Sequence, residues 1–286
     1  MASPDWTRRR VIAYAHQGGS FEAPSSTLFA IERALANGAT GIELDVHATA
    51  DRRIVVCHDD TVDRTTGHAG SISDLTLDEL REMDNAHWWI EGETATPGRD
   101  PSEYPLRGRA PADRSLGVAT LEEVVRAFPG TLLTLDIKRT APVVEPYEEL
   151  LAAELARLGA QSSVMVASFI DEAIRRFRDA APAVATSAAS AEATDFFLSL
   201  GGAAPVVPPA QALQVPSTVG DVSVVDRRFV ETAHAAGVAV HVWTINDLDE
   251  MEQLLDLGVD GIVSDRPSVL AAAISRRGLT WGGLAA

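Results

Sequence analysis

GIELDV, residues 41–46, alternates the apolar Ile42, Leu44 and Val46 with the carboxylates Glu43 and Asp45. A repeat of two is the period of a β-strand, whose successive side chains point to opposite faces. One face is aliphatic enough to lie under helices. The other carries two like charges, which repel unless a cation or a proton intervenes. A strand flanked in this way belongs between helices and the interior of a parallel α/β barrel, where its carboxylates have only the mouth to face.

The rest of the chain keeps the same rhythm. VIAYAH (11–16) reads as a strand before the helical STLFAIERALANG, and RIVVCH (53–58) as a short extra strand. LEEVVRAFPG precedes the strand TLLTLDIK (131–138). PYEELLAAELARLG precedes SVMVASF (163–169), and DEAIRRFRDAAP precedes AVATS. A helix near 190–200 leads to the weak strand ALQV (212–215), RRFVETAHAAG to VAVHVWT (238–244), and DLDEMEQLLDLG to GIVSD (261–265). Eight strands, most of them followed by helices, predict a (β/α)8 barrel. An open doubly wound sheet is the runner-up, but no G-x-G-x-x-G follows the first strand. Residues 66–118 break the rhythm: DLTLDELREMD reads as a short amphipathic helix, followed by a long stretch rich in Gly, Pro and Arg. We read it as an insertion between the second and third strands of a single domain spanning 1–286.

Composition narrows the class. With 286 residues, 46% of them hydrophobic, the chain can bury the core of one barrel. A net charge of −17 disfavours nucleic acid or an anionic membrane as partner. The lone Cys57 lies in the apolar run IVVCH; it excludes an internal disulfide and reads as a small buried hydrophobe. The N-terminal MASPDWTRRR lacks the apolar segment of a secretory signal, and no run approaches the roughly 18 apolar residues of a membrane span. The expectation is a cytoplasmic protein without a membrane span, its oligomeric state left open.

Groups at the C-terminal ends of barrel strands share one mouth. His16 ends the first strand and precedes Gln17-Gly18-Gly19. Glu43, Asp45 and His47 share a face of the second, His58 ends the extra strand, and Asp136 and Lys138 share a face at the end of the third. Three carboxylates on adjacent strands suit an oxygen-ligand site for one divalent ion, Mg²⁺ or Ca²⁺. Two histidines beside them suit a general acid and base. Of the 24 basic residues, Lys138 is the single lysine, so an ammonium is retained where Arg is otherwise written. A small-molecule phosphodiester fits this equipment: its anionic oxygens need cations, one proton must leave the nucleophile, and another must reach the departing alkoxide.

HQGGSFEAPSST, GIELDVHATADRRIVVCHDDTVDRTT, LTLDIK, VHVWTIN and GVDGIVSDRP together resemble the glycerophosphodiester phosphodiesterases, from about residue 11 to 270. The family patterns are H-R-G, P-E-N-T, E-x-D-V-x-x-T-x-D, V-V-x-H-D, R-T-T, E-x-K, V-W-T-x-N and G-V-D-G-I-x-T-D-x-P. The resemblance implies a TIM barrel with an insertion after R-T-T, and hydrolysis of glycerophosphodiesters to glycerol 3-phosphate and an alcohol. It implies His16 and His58 as acid and base, with His16 favoured as base, and Glu43, Asp45 and Asp136 as metal ligands. Lys138 would contact the phosphate, while Trp243 and Phe169 would line the alcohol side. Gln17, a further substrate-binding candidate, stands where the family has Arg. Pro24-Ser25-Ser26-Thr27 replaces P-E-N-T, with Glu22 as a conceivable substitute, and Asp136 replaces Glu. Asp-x-Lys also resembles the sphingomyelinase D/phospholipase D toxins, so a lyase forming a cyclic phosphate is one alternative. A non-catalytic glycerophosphodiester-binding barrel is the other. His47 is a candidate support for the metal carboxylates. Trp88-Trp89 and His234 read as structural, His241 shares a strand face with Trp243 and could face the site but is left out of it, and Arg266-Pro267 reads as the start of the last helix.

Overall fold

The computed structural model describes residues 6, 11–138, 147–202 and 204–279. Apart from Trp6, the N-terminal stretch read for a targeting signal lies outside them, as does Arg139. The described residues form twelve strands: β1 (Ile12–His16), β2 (Gly41–Ala48), β3 (Ile54–Val56), β4 (Ala119–Thr120), β5 (Leu132–Ile137), β6 (Val164–Ala167), β7 (Ala185–Thr186), β8 (Ala212–Pro216), β9 (Thr218–Val219), β10 (Val222–Ser223), β11 (Ala239–Trp243) and β12 (Gly261–Ser264). Eight of them run parallel in the order β7-β6-β5-β2-β1-β12-β11-β8. The open edges meet through a parallel bridge between Ser187 and Ala212, flanked by backbone bonds from Gln211 to Thr186 (2.9 Å) and Ala188 to Ala212 (2.8 Å). The sheet therefore closes into the expected barrel.

Alternation along each strand divides the core. Ile42, Leu44, Val46, Leu133, Leu135, Val164 and Val166 point outward under the helices on one side. Leu213, Val240, Val242 and Ile262 do so on the other. Inward, Ile12, Tyr14, Leu132, Met165 and Val263 fill the barrel floor with Trp6. The Tyr14 ring fits because two neighbouring strands carry glycine: a Cβ on Gly41 would stand 2.7 Å from Tyr14 Cδ1, and one on Gly261 3.0 Å from Tyr14 Cε2. Above this floor the inward positions become polar.

Helix starts are marked by capping side chains. Thr27 accepts from the Ala30 N–H ahead of Leu28–Ala36, Thr120 and Glu123 form a reciprocal box at Leu121–Ala127, and Asp247 caps Leu248–Leu257. Each such cap contributes about 1 kcal/mol.

Past the barrel, β2 continues through Val46–Ala48 and pairs antiparallel with β3, which pairs with β4. The segment between β3 and β4 holds only short helical turns and a small core of its own, including Val55, Cys57, Leu77, Leu80 and Val118. Cys57 is buried there as expected. Trp89 is buried and donates to the Ser20 carbonyl at 3.0 Å, which ties this segment to the turn after β1. Two elements depart from the sequence reading: the short β4 was not foreseen, and residues 218–223 form a hairpin, β9–β10. Its signal was present, since Gly220-Asp221 is a two-residue turn between valines and Gly220 has φ 56°.

Candidate active site

Register places the chemistry. His16 on β1 lies level with Glu43 on β2, Glu43 with Thr134 on β5, and Asp45 with Asp136. All three carboxylates line one cavity of about 730 Å³ at the C-terminal end of the barrel, with His16, His58, Lys138, Phe169 and Trp243. Phe169 packs edge-on to Trp243 with ring centroids 5.6 Å apart. Of the expected site residues, only Gln17 is not part of the lining. Its side-chain amide is buried, 3.2 Å from His16 Nε2. It holds the histidine rather than the cavity.

The turn that sets His16 is built tightly. Gln17 adopts φ 53° and is followed by two glycines with positive φ. A Cβ on Gly18 would meet Ala30 Cβ at 2.8 Å, and one on Gly19 would meet Pro267 Cγ at 2.7 Å. The turn is thereby pressed against the first and last helices, and the turn between β12 and the last helix brings Asp265. His16 Nδ1 donates to Asp265 Oδ1 at 2.7 Å, leaving Nε2 on the cavity side, 3.8 Å from Glu43 Oε2. Ser20 (2.5 Å) and Asn246 (2.7 Å) also donate to the Asp265 carboxylate. Burial works against a proton on His16, but the Asp265 hydrogen bond and the charges of Glu43 and Asp265 outweigh it and raise its pKa to about 9.

His58 is held differently. Its Nδ1 donates to Asp59 Oδ1 at 2.7 Å, and Arg64 grips the same carboxylate through Nε (2.7 Å) and Nη2 (3.1 Å). Burial tends to raise the Asp59 pKa, but the bonds from His58 and Arg64 prevail and hold it well below the usual range. The rings of His16 and His58 are 6.4 Å apart, edge to face.

Between them the carboxylates are crowded. Burial and the neighbouring Asp45 push Glu43 up to about 8. Burial raises Asp136 to about 6 although Lys138 opposes it. Lys138 Nζ sits between two of the acids, 2.7 Å from Asp45 Oδ1 and 3.1 Å from Asp136 Oδ2. Asp45 Oδ2 is buried without a hydrogen-bond partner.

A family model for the glycerophosphoryl diester phosphodiesterase family matches residues 16–269. The chain belongs to that family and is a phosphoric diester hydrolase. It is 29% identical over 286 residues to a glycerophosphodiester phosphodiesterase of Bacillus subtilis, covering 94% of this chain and 87% of that one. The glycerophosphoryl diester phosphodiesterase domain of a Mycobacterium tuberculosis protein shares the fold (TM-score 0.75, 19% identity, 93% of this chain and 99% of that one). So does an Oleispira antarctica phosphodiesterase solved with its product sn-glycerol-3-phosphate (TM-score 0.69, 25% identity, 93% and 97%).

Among the described residues no three side chains stand close enough together to form a ready metal cluster. The donor chemistry nevertheless fits a hard divalent ion. Asp45 Oδ2 is buried without a partner beside two further carboxyl groups, and oxygen donors of this kind are what such an ion prefers. Glu43, Asp45 and Asp136 are the residues that could hold it.

Residues outside the expected set also contribute. Asp265, Ser20 and Asn246 position His16, and Arg64 positions Asp59. Their signal lay in GIVSDRP, VWTIN and VDRTT, but nothing local said which histidine each would serve. Glu22 does not replace the missing P-E-N-T carboxylate. It accepts from Ser268 Oγ at 2.6 Å and does not line the cavity. His47 is buried, with Nε2 3.5 Å from the His58 carbonyl, and desolvation lowers its pKa. His234 donates to Asp260 at 2.7 Å, and His241 is enclosed in the barrel below the cavity, where desolvation lowers its pKa to about 3. His234 is structural, as expected, and His241, which the sequence left open, does not line the cavity. Among the described residues no helix is long and apolar enough to cross a membrane.

Proposed function

We propose that the chain hydrolyses glycerophosphodiesters to glycerol 3-phosphate and an alcohol, with one divalent ion held by Glu43, Asp45 and Asp136. The observation that carries this reading is the meeting of two oriented histidines, three carboxylates and the lone lysine in a single cavity. The ion would supply positive charge to the phosphate oxygens and acidify a bound oxygen. Lys138, at the edge of the carboxylates, contributes fixed positive charge on the same side.

The His16 and His58 rings lie 6.4 Å apart at the same cavity, close enough for both to serve one phosphodiester. One takes the proton of the attacking hydroxyl and the other returns one to the departing alcohol. Asp265 and Asp59 fix each ring with Nδ1–H pointing away from the cavity, so that Nε2 is the atom that exchanges protons. The Phe169–Trp243 pair offers an apolar surface on the alcohol side.

The test is a panel of glycerophosphodiesters assayed with Mg²⁺, Ca²⁺ or Mn²⁺ and with excess chelator, the products followed by phosphorus NMR. Turnover to a monoester that chelator abolishes is expected. Cyclic phosphate as the sole lasting product would replace hydrolysis by lyase chemistry, and turnover in excess chelator would remove the metal.

A further inference from the structure

Residues 66–118 supply none of the described lining of the cavity. They reach its chemistry by another route, through residues 17–26, the loop between β1 and the helix Leu28–Ala36. Asn85 Nδ2 donates to the Ser25 carbonyl at 3.1 Å, and Trp89 Nε1 to the Ser20 carbonyl at 3.0 Å. The Gly92 N–H donates to the Phe21 carbonyl at 2.8 Å. Asn85 and Trp89 are themselves buried.

That loop needs holding. Both of its ends are strained, since Gln17 (φ 53°) and Ser26 (φ 59°) are non-glycine residues in the left-handed region. Such residues persist only where their surroundings over-determine them. The two ends are tied together, the Ser26 N–H donating to the Gln17 carbonyl at 2.7 Å. Ser20 and Ser25 are buried, and a buried backbone carbonyl without a donor is costly. The donors come from Asn85 and Trp89.

We propose that Asn85 and Trp89 are positioning residues for His16, acting through this loop. The inference rests on the phosphodiesterase reading above for the step that His16 performs. From Trp89 the path is short. Ser20 takes the indole bond at its carbonyl and donates its hydroxyl to Asp265 Oδ1 (2.5 Å), the atom that also accepts from His16 Nδ1 (2.7 Å). From Asn85 the path runs through Ser25 to Ser26, whose N–H holds Gln17, and the Gln17 amide lies 3.2 Å from His16 Nε2. Both nitrogens of one ring are thus tied back to two side chains of the segment between β3 and β4. His58 is held by Asp59 and Arg64 instead, which makes it the internal control.

Kinetics and NMR on the same variants test it. Trp89→Phe removes the indole N–H and keeps a ring in the buried slot; Asn85→Ala cuts the second path independently. Each variant, its folding checked by circular dichroism, should lower kcat on the best glycerophosphodiester of the panel by about tenfold with KM little changed, because a misplaced histidine costs rate more than binding. In samples of equal metal content, the Nδ1 proton resonance of His16 should shift while that of His58 stays in place. Thr76→Ala is the stability control, since it breaks the capping box with Glu79 at the helix Leu77–Arg81 of the same segment. It should lower Tm and leave kcat and both resonances as in the wild type.

A His16 resonance that moves in the two variants, in a protein that cleaves no diester, would support the positioning and sink only the catalytic reading. Unmoved resonances and an unchanged kcat, with diesters still cleaved, would overturn the proposal and leave catalysis standing. Equal shifts at His16 and His58, or a comparable loss of kcat in Thr76→Ala, would also overturn it, because the effect would then be a general loosening of the segment.

Discussion

The two histidines of the cavity are mounted by opposite strategies. His16 is part of the barrel: its partner Asp265 is 249 residues away and reaches it only because β1 and β12 are neighbours. His58 stands just beyond β3, outside the barrel wall, and its support is local, with Asp59 adjacent and Arg64 five residues on. The His16 side chain is 21% exposed and that of His58 38%. The first ring is fixed by the closure of the whole fold, the second by one turn of chain. The same Nδ1–carboxylate geometry, at 2.7 Å in both, is reached by either route.

The largest effect separates chemistry from mounting. His16→Ala and His58→Ala should each lower kcat by about 10³-fold or more, the scale of positioned proton transfer. Retained turnover in either variant would break the pairing and leave one histidine to do both steps. Leaving groups of low pKa sharpen the comparison, because the variant lacking the acid recovers with them and the variant lacking the base does not.

The next effect bears on the mounts. Asp265→Asn should lower kcat by about 100-fold with little change in KM, because an amide loses the negative charge and can turn its N–H2 to Nδ1, favouring the wrong tautomer of a buried ring. Asp59→Asn should cost about tenfold, because the more exposed His58 can exchange that partner for water. If the two substitutions cost the same, the distinction between global and local mounting has no functional content.

A smaller effect concerns the electrostatics. Glu43 lies 3.8 Å from His16 and helps to raise its pKa to about 9. A divalent ion taken up by the carboxylates would cancel that negative charge. NMR titration of the ring protons should then show the His16 pKa falling on addition of Mg²⁺ or Ca²⁺, while His58 moves less. Equal shifts at both rings, or none, would mean that the ion is not held at Glu43.

The comparison also explains what could be read in advance. The strands and helices were legible because their signals are local: period-two runs such as GIELDV, helical stretches ended by glycine, and capping residues such as Thr27 and Asp247. The cavity residues were legible because strand ends in a barrel converge. Asp265 was not, although it stands in a recognisable motif, since its pairing with His16 depends on strand order and on the close packing of Gly19 against Pro267. Gln17 was misjudged for the same reason. It was expected to contact the substrate, but in the turn after β1 its amide lies 3.2 Å from His16 Nε2 and outside the cavity lining. The apolar side of the cavity was legible at Phe169 and Trp243 but not at Phe197, Val219 and Val222, which a helix and a hairpin bring there only when the barrel closes.

The smallest effect is on stability, and it isolates the His16 mount from catalysis. In chelator the folded protein holds a proton on His16 up to about pH 9, whereas the ordinary histidine value is 6.5. A raised pKa contributes stability that is fully present below about pH 6.5 and is lost as the pH climbs through 9, on the order of 2–3 kcal/mol. Glu43, raised from 4.5 to about 8, adds a loss of the same sign that begins at lower pH. The metal-free protein should therefore lose several degrees of Tm between pH 6.5 and 9. Asp265→Asn removes the main bond raising His16, so its Tm should start lower at pH 6.5 and decline less steeply over that window. Asp59→Asn, acting through a more exposed ring, should leave the decline nearly as in the wild type. Parallel curves for all three proteins would mean that the Asp265–His16 bond carries no proton-linked stability, and the buried mount would then differ from the exposed one in position alone.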